Sequence, residues 1–428
     1  MQSVKVEDFD WKSLLSVKGV SAVAAIAVMF VGATAFAVSS SITSSERVIT
    51  GVKAEGVEIS GLSESGTIKY FNDLASEKLK PLTFSYGDRT FSISPAEINL
   101  KPNVEEAVDE AFSYGRSSNS LIANMKDQIK CALNGRNVTL TAAYDENLLN
   151  EKLKVIADQI NCQPVNAYCL LDSNGGVLKY AGVIGKKLDT ETIANSLKTP
   201  LTSLNIPNNI NLTPEDIIPF VTTEDVMPID SIIGQYSTRF TPGDRGDNIA
   251  IAADALNDRI VKPGWTFSFN DTVGERSYSA GYKNAGVIID GRPDIDVGGG
   301  VCQVSSTLYN AILLAGLTPT VRTAHFAPST YVEPGRDATV ADGQIDFKFR
   351  NDLPHSVYLL TGVYNSTLTV YVLGARSDLN GADIRIESEG PAMSPSIYRV
   401  YYRDGKVIKD EFLHTDVYEK LKPAEERQ

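Results

Sequence analysis

Cys302 follows a run of three glycines, Gly298-Gly299-Gly300, and precedes Val304, Leu308, Ala311, Ile312 and Ala315. That apolar spacing predicts a helix stopped at Gly316, so the cysteine sits where a glycine turn enters a helix. The positive end of a helix dipole favours thiolate over thiol, and its unpaired N–H groups can stabilise an oxyanion. Consecutive glycines allow backbone paths closed to other residues and close approach of a ligand, which marks Gly299 and Gly300 as candidate substrate-binding positions. The chemistry suggested is acyl transfer through a thiol. Such a nucleophile needs a base and a group to orient the base. Among three histidines, His325 is nearest in sequence, Asp337 is placed to orient it, and Arg336 to hold a substrate carboxylate. His355 precedes a strand and His414 lies in a charged tail, so both are weaker candidates. The plainer reading makes Cys302 a small buried hydrophobe and Arg336–Asp337 a loop clasp, and spacing alone leaves both readings open.

The elements around these residues predict an α+β chain. Ile345, Phe347 and Phe349 alternate with charged residues as a half-buried strand does. Residues 357–361 and 368–372 flank a polar turn at Asn365-Ser366, a hairpin pattern of the kind turn residues specify. Lys262-Pro263-Gly264-Trp265 makes a turn entering another strand. These belong to a mixed, strand-rich domain over 228–376. A further hairpin is expected near Ile397–Tyr402 and Lys406–Ile408, within a tail, 377–428, to which no chemistry is assigned.

Upstream, residues 46–130 and 131–225 read as two α+β modules of the same order. The first has an extended piece from Val48 to Ile59, a helix over 63–79, strands at 82–86 and 90–93 around Gly87-Asp88, and a helix opened by an Asn103/Glu106 capping pair. The second has a Leu149, Leu153, Ile156, Ile160 stripe, strands at 168–172 and 177–180, and a helix near 189–197. Neither contains a nucleophile–base spacing. Cys131, Cys162 and Cys169 fall here, and one disulfide or three thiols are both consistent with the sequence.

The uncharged run 19–38 is about 30 Å long as a helix, enough for a bilayer core, and Lys5, Lys12 and Lys18 precede it. The expectation is a transmembrane anchor over 19–38 with a cytoplasmic tail, 1–18, and the bulk of the chain extracellular. A cleaved signal peptide is the alternative. The net charge of −13 argues against nucleic acid as a partner, because phosphate neutralisation needs clustered cations. No metal and no cofactor are expected, since no His or second Cys is spaced as a ligand pair with Cys302.

The chain resembles the VanW family. The matching residues are Pro263-Gly264…Phe267-Ser268-Phe269-Asn270, Gly281-Tyr282…Ala285, Gly298 to Asn310, and Tyr331…Pro334-Gly335-Arg336-Asp337-Ala338-Thr339-Val340. The modules at 46–225 are similar in pattern to peptidoglycan-binding repeats, through Gly51-Val52…Gly56-Val57…Ser60-Gly61-Leu62 and Gly182 to Asp189. The resemblance implies a cysteine-dependent L,D-transpeptidase acting on peptidoglycan stem peptides, with Cys302, His325 and Asp337 catalytic and Tyr331 beside the substrate. Its alternative is a non-catalytic envelope protein that binds peptidoglycan or glycopeptide in wall assembly or vancomycin resistance. A cysteine endopeptidase is a third reading.

Overall fold

The computed structural model describes residues 24, 25, 27–34, 37, 45–289 and 291–421. One expectation is corrected at once. Among the described residues no helix is long and apolar enough to cross a membrane, so the transmembrane helix over 19–38 is not supported. The rest of 19–38, beyond 24, 25, 27–34 and 37, and the tail 1–18 lie outside the described residues. Apolar composition sets the cost of leaving water, whereas a span also requires a helix long enough to cross the bilayer core.

The chain divides into two compact units: one through Cys162 plus 186–215, and one of 163–185 plus 216 onward. The first packs helices Glu64–Lys78, Val104–Ser113, Glu146–Ile160 and Thr190–Thr202 with short strands around a core holding Phe71, Phe84, Leu149 and Leu153. Ser63 caps the first helix through its side-chain oxygen, and Asp145 and Asp189 cap the last two, as short polar residues do at N-termini. Asn103 makes no such cap. Its amide donates to Thr141 Oγ1 at 3.1 Å instead, a long-range partner that no local pattern reveals. The hairpin Tyr168–Leu171/Val177–Tyr180 has the expected strands but groups with the second unit. Buried Ala167 and Cys169 join Tyr358, Leu360 and Leu373 there, and that buried apolar area outweighs chain proximity.

In the second unit we number β1 Ser231–Arg239, α1 Asp244–Leu256, β2 Arg259–Val261, β3 Thr266–Ser268, α2 Phe269–Val273, β4 Asn284–Ile289, β5 Arg292–Val297 and α3 Val301–Leu314. There follow β6 Thr318–Val321, β7 Lys348–Arg350, β8 Val357–Tyr364, β9 Thr367–Gly374, β10 Asp383–Glu389, β11 Ser396–Arg403 and β12 Lys406–Thr415. Three antiparallel sheets form, in the orders β1-β9-β8-β2, β3-β7-β6 and β10-β11-β12, with β4–β5 as a separate ribbon. Asn365 and Ser366, at φ 46° and 53°, make the tight turn that matches strand twist between β8 and β9.

Helix α3 is apolar on most of its circumference and is therefore central, with Val304, Leu308, Ala311 and Ile312 fully buried. Phe347 and Phe349 alternate into the same core from the strand side. Gly316, at φ 77°, ends the helix: its N–H bonds Leu313 O, and Leu317 N–H bonds Ile312 O.

Candidate active site

Ribbon β4–β5 delivers the chain to α3 through the three glycines. Gly300 is the N-cap at φ 113°, a backbone state that side chains rarely adopt, and Cys302 is the second helical residue. A Cβ on Gly299 would lie 2.5 Å from Ala285 O, so the turn needs glycine for close approach as well as conformation. Buried Asn248 of α1 locks the turn by donating to Gly299 O at 3.0 Å and Lys283 O at 2.8 Å.

The polar side of α3 holds a second segment in place. Cys302, Ser306 and Asn310 lie at i, i+4 and i+8, on one helix face. Asn310 Nδ2 donates to Arg336 O at 2.7 Å, Ala338 N–H donates to Ser306 Oγ at 2.9 Å, and Ser305 Oγ donates to Ala338 O at 2.5 Å. Residues 336–338 are thus laid along the helix, and Cys302 Sγ reaches Val340 O at 3.3 Å.

This arrangement brings His325 and Asp337 together. Asp337, buried, has its Oδ2 2.5 Å from His325 Nδ1 and 2.6 Å from the His325 backbone nitrogen, which fixes the ring's position. Its other oxygen accepts from Tyr418 and faces Arg322 at 3.4 Å. Burial alone would raise the Asp337 carboxyl, yet the His325 and Tyr418 bonds and the Arg322 charge hold it well below the ordinary carboxylate range. Burial likewise disfavours charged His325, but Asp337 and Cys302 outweigh it and raise the imidazole from 6.5 to about 9. For half-buried Cys302, burial pushes the thiol up while the hydrogen bond and charge of His325, with Arg276 beyond, bring it down; the net direction is down. Together the three side chains can hold a thiolate–imidazolium pair oriented by a carboxylate.

Tyr331 sits edge-on to the His325 ring, with centroids 6.4 Å apart at 83°. Arg336 is differently employed from the sequence expectation. Its Nε donates to Asn310 Oδ1 at 2.7 Å, it stacks over Tyr236 at 5.0 Å, and it pairs with Glu333 at 3.3 Å. The guanidinium therefore braces the 336–338 segment, because the side chain opposite it on α3 is an amide that accepts its N–H.

The tail, given no chemistry from sequence, contributes directly. After β12, Asp416 binds Arg322 at 2.5 Å, and Tyr418 accepts from Gly335 N–H at 2.7 Å while donating to Asp337. Sequence offered no local signal for Tyr418, which lies 81 residues beyond Asp337. Ser306 and Asn310 were visible as a helical stripe on the Cys302 face. Tyr418→Phe is expected to cost about 1–3 kcal/mol of stability, the range for a buried acceptor losing its donor, and to raise the Asp337 carboxyl, which the Tyr418 bond holds down. Thermal melting and NMR titration of the carboxyl check both effects, and an unshifted titration would refute the second. Cys131, Cys162 and Cys169 are free thiols. Among the described residues no group of His, Cys, Asp and Glu is placed to hold a metal ion.

Comparison with known proteins places the chain among its relatives. The family described as "VanW like protein" matches residues 244–373, and the one described as "Putative peptidoglycan binding domain" matches 91–205. The chain is 32% identical over 258 residues to the uncharacterized protein YoaR of Bacillus subtilis (strain 168), covering 60% of this chain and 83% of that one. It is 36% identical over 110 residues to the vancomycin B-type resistance protein VanW of Enterococcus faecalis (strain ATCC 700802 / V583), covering 24% of this chain and 40% of that one. No solved structure matches the chain. The first match contains Cys302, His325 and Asp337 and stops before Asp416 and Tyr418. With the first match spanning the glycine turn, its helix and the segment bound along it, and with the relatives beside it, the chain belongs to the VanW family, a cell-wall-related protein with a peptidoglycan-binding domain.

Proposed function

We propose that this protein is a cysteine-dependent L,D-transpeptidase that forms 3→3 cross-links between peptidoglycan stem peptides. The observation that carries the reading is the array of Cys302, His325 and Asp337 at the glycine-to-helix junction. Cys302 thiolate attacks the carbonyl of the third residue of a tetrapeptide stem. The Cys302 backbone N–H, which meets no acceptor among the described residues, is available to the resulting oxyanion. The C–N bond to terminal D-Ala breaks, His325 gives its proton to the leaving amine, and a thioester remains on Cys302. A diaminopimelate amine of a second stem then attacks the thioester, His325 takes its proton, and the thiolate leaves. Bonds and protons balance with no external reagent. Because the substrate lies outside the cytoplasmic membrane, the reading requires both units to face the wall.

A purely binding role gives no reason for a buried Asp337 to orient an imidazole beside a thiol, so the catalytic reading is favoured. The test is product analysis. Purified protein with tetrapeptide muropeptides should release D-Ala and yield 3→3 cross-linked dimers by mass spectrometry. Release of D-Ala with water as the only acceptor would make it a carboxypeptidase, and no release would refute acyl transfer altogether.

A further inference from the structure

The arginines around α3 fall into two groups. Arg276 pairs with Asp342, Arg322 with Asp337 and Asp416, and Arg336 with Glu333. Arg245, in the first turn of α1, differs. Its Nη1 donates to Gly286 O at 3.1 Å and its Nη2 to Gln303 Oε1 at 3.4 Å, and among the described residues it has no carboxylate partner. Both acceptors are neutral, and five N–H donors are more than two such contacts use.

Its position is equally specific. Gly300 and Gln303 bracket Cys302 on the chain, and Arg245 touches both. A Cβ on Gly300 would come within 3.0 Å of Arg245 O and 3.1 Å of its Cγ, so the glycine makes room for this side chain. The Arg245 charge also acts on Tyr331, which packs against His325. A half-buried, fork-shaped cation with only neutral partners, set against the helix turn that carries the nucleophile, suits a planar anion that accepts bidentate hydrogen bonds.

We propose that Arg245 anchors the free carboxylate of the donor peptide, so that the preferred donor ends in a carboxylate one residue beyond the scissile carbonyl. This inference rests on the transpeptidase reading for the donor's identity, while the anion site itself does not. Arg245 takes the part that the sequence assigns to Arg336.

The rates at which iodoacetate and iodoacetamide alkylate Cys302 test it, since the reagents differ in a carboxylate. Arg245→Gln should lower the iodoacetate-to-iodoacetamide rate ratio about ten-fold, and Arg245→Lys should retain part of it. Lys283→Gln, which removes a cation paired with Asp244 and Asp247, should leave the ratio unchanged. An unchanged ratio in Arg245→Gln, or an equal fall in Lys283→Gln, overturns the anchor. On the unaltered protein, N-acetyl-D-alanine should protect Cys302 from iodoacetamide and N-acetyl-D-alaninamide should not; equal protection also overturns it. Tetrapeptide turned over equally well as acid and carboxamide sinks the anchor and leaves transpeptidation standing. An Arg245-dependent ratio without peptide turnover supports the anchor and sinks transpeptidation.

Discussion

Cys302→Ala is expected to abolish D-Ala release and cross-link formation, with a loss on the order of 10⁴–10⁶-fold, the scale seen when a covalent nucleophile is deleted. Alanine cannot form the thioester, and the remaining cysteines lie elsewhere in the chain, at 131, 162 and 169. The fold should survive. Sγ bonds Val340 O and the His325 ring and the residue is half-buried, so stability should fall by only about 1–2 kcal/mol. Sacculus binding, a property of the matched region 91–205, should be unaffected. The measurement is muropeptide product analysis beside a thermal melt. Undiminished product from a well-folded variant would remove Cys302 from the mechanism.

Asp337→Asn should have the second largest effect, because it touches both chemistry and stability. The carboxylate accepts from the His325 ring and backbone, from Tyr418, and faces Arg322. An amide cannot accept along both edges, and its NH₂ must oppose one of these donors. Turnover should drop on the order of 10²–10⁴-fold, as when a base loses its orienting partner. Stability should fall by about 3–5 kcal/mol, since Arg322 and protonated His325 lose a buried counter-charge.

The pH dependence has a definite sign. His325 is raised from 6.5 to about 9, so its contribution is complete below pH 6.5 and fades as pH rises through about 9. Asp337 is depressed from 3.8, so its contribution is complete above that value and is lost only as pH falls through the lower folded value. The stability gap between parent and Asp337→Asn should therefore be widest between roughly pH 4 and 6.5 and narrow toward pH 9. Melting temperatures across pH 4–9 measure it, and a gap that widens with rising pH would contradict the ion-pair assignment. The pH profile of Cys302 alkylation should shift upward in the variant, because a weaker imidazolium stabilises less thiolate.

Much of the site was legible because its information is local. Three glycines, a cysteine and an apolar repeat specify a turn into a helix from backbone sterics and burial alone, and the helix runs from Val301 to Leu314 with Gly316 as its stop. The hairpin at Asn365-Ser366 follows from turn conformations, and the β11–β12 hairpin from Asp404-Gly405. His325 and Asp337 could be named as partners of Cys302 by residue type and proximity along the chain.

What sequence misjudged depends on length or on distant partners. The span over 19–38 rested on composition, and no described helix has the length to cross a bilayer. Arg336 was assigned to substrate as an arginine in a loop, whereas Asn310 across the helix groove binds its Nε. Asn103 has the right type for a cap, but Thr141 claims its amide.

By itself, then, the sequence determined the α+β class and the helix that carries Cys302, both set by short-range sterics and periodicity, and it named His325 and Asp337 as candidate partners by residue type and proximity. Only the tertiary structure decided the distances and charges among them. The three-residue shelf at 336–338, the Tyr418 and Asp416 clamp returned by the tail, and the placement of Arg245 beside Gly300 each arise from side chains tens of residues apart meeting in one low-dielectric pocket. There a hydrogen bond or counter-ion shifts a proton equilibrium far more than it would in water, and only folding brings those groups within reach.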